Sequence, residues 1–265
     1  MTKKTLQLIK NNPVIIMSYV AYMVISLLFI FFLYPNNLGS DSYMRDGVLD
    51  YSLYLATMRN LLIALLLIFI LSLLFLSGYC NMIKEAVLNG KTKLSHFVVG
   101  IKNYFPRVLL CMLLMLAIII LGAVLFGILS VAFTILASTT VSLSLFTLTL
   151  IIMLVTLLLV LIPSPFLVLW LPALFLENTG VIRSLSLGAR AGAKSYWRLL
   201  LATLILILPQ AVYSILNYNV ITEGTIFSIG YFIMLGIMAV ISLIYNTYIF
   251  MLYHEYSSRL VTIQR

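Results

Sequence analysis

Ile101-Lys102-Asn103-Tyr104-Phe105-Pro106-Arg107-Val108 has two relatives elsewhere in the chain. Leu8-Ile9-Lys10-Asn11-Asn12-Pro13-Val14 leads into one long apolar run, and Ala193-Lys194-Ser195-Tyr196-Trp197-Arg198-Leu199 leads into another. Lys10, Lys102 and Lys194 stand 92 residues apart at both steps, the mark of a threefold internal repeat. Glu85 and Glu177 are also 92 apart, and Glu255 is the expected third member of a shorter final copy. Each copy reads as a basic and aromatic lead-in, an apolar span, an outer turn, a second span and a terminal glutamate. The repeats are expected at about 1–86, 87–178 and 179–265, within a single membrane domain covering 1–265.

Composition sets the class. Of 265 residues, 63% are hydrophobic and 9% charged, against about 45–50% and about 25% in soluble domains. Six apolar runs, at 14–34, 60–79, 108–136, 142–176, 199–218 and 226–252, each meet the need for about 20 residues in a membrane-crossing helix. The expected fold is all-α, a polytopic membrane protein of six transmembrane helices as three two-helix repeats, with cytoplasmic amphipathic helices between repeats. The first run is too long for a signal-peptide core and no small-residue cleavage site follows it, so it reads as a retained span.

Charge sets the expected orientation. Fourteen of the 16 Lys and Arg fall in segments 1–13, 80–107, 177–198 and 253–265, and the other two are Arg45 and Arg59. An excess of basic residues marks the cytoplasmic side, which places both termini there and agrees with an even number of spans. The net charge of +9 is therefore a topological signal, and no nucleic-acid partner is expected. Pro163-Ser164-Pro165 and Pro172 should interrupt the fourth span, and Pro209 the fifth, because each proline lacks a backbone donor and crowds the preceding turn.

Three sets of residues are candidate sites. Arg183, Arg190, Lys194 and Arg198 fall within about 80° on a helical wheel, with Leu185, Gly188, Ala189, Gly192 and Tyr196 on the other side. That pattern predicts an amphipathic helix at the interface whose small face packs on protein while its basic face meets anionic head groups. Lys102 and Arg107 are candidates for the same role. Lys10, Lys102 and Lys194 with Glu85, Glu177 and Glu255 form a candidate ring of ion pairs between repeats. Gln210, Ser214 and Asn217 in the fifth span, with Ser242 and Asn246 in the sixth, predict an intramembrane polar seam of interhelical hydrogen bonds.

Catalytic signatures fail on inspection. Gly90-Lys91-Thr92 has Glu85 where a phosphate loop needs its first glycine, and His96 and His254 are solitary. Cys80 and Cys111 have no ligand partners in sequence. No cofactor, metal or enzymatic activity is expected, and the spans show no acidic or basic residue at mid-depth of the kind an ion relay uses.

Gly90, Phe97, Gly100, Lys102, Tyr104 and Phe105, then Glu177, Gly180 and Lys194-Ser195-Tyr196-Trp197, carry a resemblance to bacterial six-span membrane proteins that include the membrane domain of some glycerophosphodiester phosphodiesterases. The resemblance implies a bacterial inner-membrane location and a lipid-associated or supporting role, without the phosphodiesterase activity, whose domain this sequence lacks. The expected function is that of a non-enzymatic membrane protein that handles or senses lipid-like or hydrophobic molecules, or supports a membrane-protein partner. Its expected contacts are membrane lipids, anionic ones above all. The alternative is a transporter or channel with a path between the three repeats.

Overall fold

A computed structural model describes residues 2–33, 44–45, 48–49, 51–140, 161–216 and 229–263. Nearly all of them are helical. The helices are α1 (Thr2–Asn11), α2 (Pro13–Leu33), α3 (Tyr51–Asn89), α4 (Leu94–Thr140), α5 (Ser164–Val168), α6 (Trp170–Leu176), α7 (Val181–Lys194), α8 (Tyr196–Leu216) and α9 (Ile229–Ile263). Beside them, Met44–Arg45 and Val48–Leu49 form a short antiparallel pair between α2 and α3, which the all-α expectation did not include.

Three helices are long and apolar enough to cross a membrane among the described residues, and five if each of two bent pairs counts as one span. α1 meets α2 at 82°, and α7 meets α8 at 95°. Residues 141–160 and 217–228 lie outside the described residues, and with them most of the expected fourth span and the two shorter outer turns.

Several elements run longer than the hydropathy runs suggested. The 39-residue α3 begins at Tyr51, nine residues before the apolar run at 60–79, and so includes Tyr54 and Arg59. The 47-residue α4 begins well before its apolar run and continues through Pro106. At about 1.5 Å per residue, α4 is about 70 Å long, more than twice the hydrocarbon thickness of about 30 Å. The expected amphipathic helix between the second and third spans is therefore absent as a separate element. Its place is taken by the end of α3, a turn at residues 90–93 and the first turns of α4.

Proline acts according to its neighbours. Pro13 opens α2 at a first-turn position where no donor is needed. Pro163-Ser164-Pro165 stands where the short α5 begins, and Pro172 lies inside α6. α8, in contrast, runs through Pro209.

The chain forms two compact units. The first comprises Met1–Phe105 with Ile205–Leu252, and the second Pro106–Leu204 with Tyr253–Arg265. This division does not follow the repeat boundaries. In the first unit α2 packs on α3 around Ile15, Leu73, Phe75, Tyr79, Met82 and Ile83, all buried. Phe75 is the centre of an aromatic cluster, stacked on Tyr22 at 4.1 Å and on Tyr79 at 5.1 Å between ring centroids. In the second unit α5 and α6 pack on α7 around the buried Leu169, Trp170, Leu174 and Phe175.

Candidate functional site

The second unit contains the predicted amphipathic helix. α7 buries Val181, Ser184, Gly188, Ala191 and Gly192 on one face. Gly188 is seated on backbone: a Cβ there would lie 2.8 Å from the Leu169 carbonyl oxygen and 2.9 Å from the Trp170 Cα. A Cβ on Gly192 would overlap the Pro165 carbonyl oxygen. The two glycines, one helical turn apart, let α7 lie directly against α5 and α6. Trp170 locks the contact by donating its Nε1 hydrogen to the Val181 carbonyl at 2.9 Å and to Ser184 Oγ at 3.0 Å.

Arg183, Arg190 and Lys194 lie within about 40° of one another on α7 and on a different face from the glycines. All three are exposed. Among the described residues Arg183 and Arg190 have no ion-pair or hydrogen-bond partner, and Lys194 Nζ lies 5.5 Å from the centre of the Tyr256 ring. Exposed Ile182, 78% accessible, and Ala193 form a third, apolar flank. A helix with a protein face, a basic face and an exposed apolar flank has the chemistry of an element lying in a bilayer interface.

Arg198 does not belong to that stripe. The helix stops at Ser195, whose N–H reaches back to the Ala191 and Gly192 carbonyls at 3.0 and 3.1 Å, and whose carbonyl accepts from Leu199. Arg198 therefore sits in the first turn of α8, beyond the 95° bend, beside Trp197, which is 72% exposed. A single helical wheel across 183–198 assumed a straight helix. Arg107, the other expected head-group contact in this unit, donates from Nη1 to Asn178 Oδ1 at 2.7 Å, while Lys102 in the first unit is exposed.

Within each unit the expected lysine–glutamate pairs are not formed. Glu85 lies 3.9 Å from its neighbour Lys84 and accepts from Asn89, not from Lys10 or Lys102. Glu177 accepts from the Tyr253 hydroxyl at 3.4 Å, and Glu255 pairs with Arg259 one turn along α9, leaving Lys194 to Tyr256. Local partners one to four residues away, or already held by packing, cost less side-chain ordering than long-range pairs at an exposed surface.

The first unit carries a polar junction that the sequence reading missed. Asn12 is buried at the α1–α2 bend. Its Nδ2 donates to the Leu8 carbonyl at 2.9 Å and the Gly90 carbonyl at 3.0 Å, while its Oδ1 accepts from Thr92 N at 2.7 Å. One carboxamide thus ties the bend to the α3–α4 turn. His96 caps the start of α4, with Nδ1 3.2 Å from Thr92 Oγ1 and 3.3 Å from Lys93 N, and buried Asn81 donates to its carbonyl at 2.7 Å. The signal in the sequence is Asn12-Pro13, a turn-forming pair at the lead-in to α2.

Of the expected polar seam, Ser242 and Asn246 are described. Their polar neighbours are tyrosine hydroxyls, Tyr19 on α2 for Ser242 and Tyr79 on α3 for Asn246, the buried Tyr79 hydroxyl making no hydrogen bond of ordinary geometry among the described residues. Asn217 lies outside the described residues, as do the side chains of Gln210 and Ser214. Among the described residues no group of three His, Cys, Asp or Glu side chains is arranged to hold a metal ion.

Residues 2–259 match a domain of unknown function (DUF7847), and the chain belongs to that family. No curated protein and no solved structure matches it.

Proposed function

We propose that this is a non-enzymatic, multi-pass protein of a bacterial cytoplasmic membrane that handles or senses lipid-like molecules, with α7 as its contact for anionic head groups. The observation that carries the reading is the three-faced α7: glycines clamped on α5 and α6, exposed Arg183, Arg190 and Lys194 on a second face, and Ile182 on an exposed apolar flank. Clamping matters because it fixes the cations on a rigid support, so little side-chain and backbone freedom remains to be lost on binding. In this reading the chain crosses the membrane six times and both termini are cytoplasmic.

The test uses the full chain in nanodiscs of zwitterionic lipid doped with phosphatidylglycerol. Each basic side chain near an anionic surface contributes about 1 kcal/mol, so changing Arg183, Arg190 and Lys194 together to Gln removes about 3 kcal/mol, or roughly 150-fold in preference for the anionic lipid. Retained phosphatidylglycerol is counted by native mass spectrometry. Changing Lys3, Lys4 and Lys10 to Gln is the charge-matched control. An equal loss in both variants would reduce the effect to net charge and remove the assigned role of α7.

A further inference from the structure

The first unit holds a partly open cleft of about 240 Å³ between α2 and α9. Tyr19, Tyr22, Met23, Ser26 and Leu27 line it from α2, with Leu235, Met238, Ala239 and Ser242 from α9. Among the described residues no charged side chain lines it. Tyr19 to Leu27 covers about 12 Å of helix, and its ends lie about 9 and 21 Å along α2 from Pro13, so the cleft is at mid-depth of the predicted span.

Its hydroxyls are not equivalent. Tyr22 Oη lies 2.7 Å from Ser72 Oγ, and Ser242 is the polar neighbour of the Tyr19 hydroxyl. Ser26 Oγ is buried and has no hydrogen-bond partner among the described residues. Four other helical hydroxyls of this unit do something else: Ser18, on the same helix, and Ser72, Ser77 and Thr247 each donate to a carbonyl three or four residues back, at 2.7–2.9 Å. That back-bond is the ordinary way for a helical hydroxyl to be satisfied in an apolar setting. Ser26 forgoes it and lines the cleft, which leaves an uncharged donor and acceptor for something that enters.

We infer that the cleft binds one single-chain amphiphile carrying an uncharged oxygen, an alcohol or ester, with its chain along Met23, Leu27, Leu235 and Met238 and its oxygen at Ser26. The inference rests on the lipid-handling reading and names its ligand class. At about 30 Å³ per methylene-sized group the volume takes roughly eight such groups, enough for part of one chain and too little for two side by side. The absence of a lining charge selects against a carboxylate or ammonium, because a buried ion needs a partner. Two methionines in the wall suit a flexible chain of variable path.

The experiment is photolabelling of the purified full chain with three diazirine probes of equal chain length: a fatty alcohol, the corresponding alkane and a two-chain phospholipid. The alcohol should label the segments 19–27 and 235–242 most strongly. Ser26→Ala should lower its apparent affinity about fivefold and leave the alkane unchanged, matching the loss of one hydrogen bond. Ala239→Phe, which fills the cleft, should weaken both single-chain probes about tenfold. Ser26→Ala should unfold at the same temperature as the parent or higher in the absence of ligand, since it deletes a hydroxyl that has no partner. The inference is overturned if the alkane or the phospholipid labels these segments as well as the alcohol does, if Ala239→Phe changes nothing, or if unliganded Ser26→Ala is destabilised. Failure here with the phosphatidylglycerol preference of α7 intact removes the cleft ligand alone; loss of that preference as well removes the lipid-handling reading.

Discussion

Replacing Asn12 by Ala should loosen α1 and the α3–α4 turn together. The side chain is buried and makes three hydrogen bonds, to the Leu8 and Gly90 carbonyls and from Thr92 N. The Leu8 carbonyl lies within a helix end, but the Gly90 carbonyl and the Thr92 N–H belong to a turn, and Thr92 is buried. Leaving a buried backbone group without a partner costs about 1–3 kcal/mol. Of these two turn groups the Thr92 N–H is the buried one, Gly90 being exposed, which gives about 2 kcal/mol as a central figure, equivalent to a fall in unfolding temperature of roughly 4–8 °C for a chain of this size.

Asn12→Asp separates hydrogen bonding from volume. The aspartate keeps an acceptor for Thr92 N but turns a second oxygen toward the Leu8 and Gly90 carbonyls, where the amide had donated, and buries a charge. It should therefore be at least as destabilising as Ala despite its near-identical shape. The assays are thermal unfolding in detergent and hydrogen exchange, with exchange in α1 and in residues 90–96 accelerating in concert. If Asn12→Ala unfolds within about 0.5 kcal/mol of the parent, or if Asp is tolerated as well as Asn, the junction described here does not hold the bend to the turn.

Other consequences are more local. Gly192→Val puts branched carbon where the Pro165 carbonyl sits, so it should lift α7 off α5 and α6, cost more than about 2 kcal/mol and expose Trp170 to a fluorescence quencher. Trp170→Phe keeps most of the packed ring but abandons the Val181 carbonyl and Ser184 Oγ, for about 1–2 kcal/mol measured by thermal unfolding. Lys91→Cys and Asn178→Cys, in the two turns that share a side with both termini in the proposed topology, should react with an impermeant maleimide in inverted vesicles and not in right-side-out ones; the reverse pattern would invert the orientation. Changing Glu255 or Arg259 alone should move stability by less than about 0.5 kcal/mol, because the pair is exposed and lies within one helix.

Hydropathy and charge made the membrane class and α7 legible, because both follow from periodicities that packing cannot easily alter. The glycine face of α7 was readable for the same reason: Gly188 and Gly192 are one turn apart and opposite the basic residues, wherever the helix docks. What was not readable depended on where helices stop. Ser195 carries no proline, yet the chain turns by 95° there, and Arg198 leaves the basic stripe. Pro106 carries a proline, yet α4 continues through it. The contrast with Asn12-Pro13 is instructive. In that copy the residue before proline has a carboxamide that satisfies the neighbouring turn, whereas Phe105 before Pro106 offers none. A bend in lipid needs its freed polar groups satisfied, and the partners that do so are remote in sequence.

The 92-residue interval also conceals a second register. Gly90, with φ of 74°, and Asn178, with φ of 49°, each occupy the turn between two packed helices, and only at these two described positions is φ positive. Ten residues after Gly90 comes Gly100, where a Cβ would meet the Ser77 carbonyl and Asn81; ten residues after Asn178 comes Gly188, where it would meet Leu169 and Trp170. Counted from the turns, the interval is 88 residues, which aligns Lys102 with Arg190 instead of Lys194. The two registers differ by four residues, one helical turn plus about 40°. A basic residue shifted by that amount stays on nearly the same face but moves about 6 Å along the axis. Face is what topology and lipid contact require of these cations, whereas axial position is what a ring of ion pairs would require. A slip of one turn leaves such a cation on nearly the same face, and within each unit the glutamates take near partners, Lys84 for Glu85 and Arg259 for Glu255.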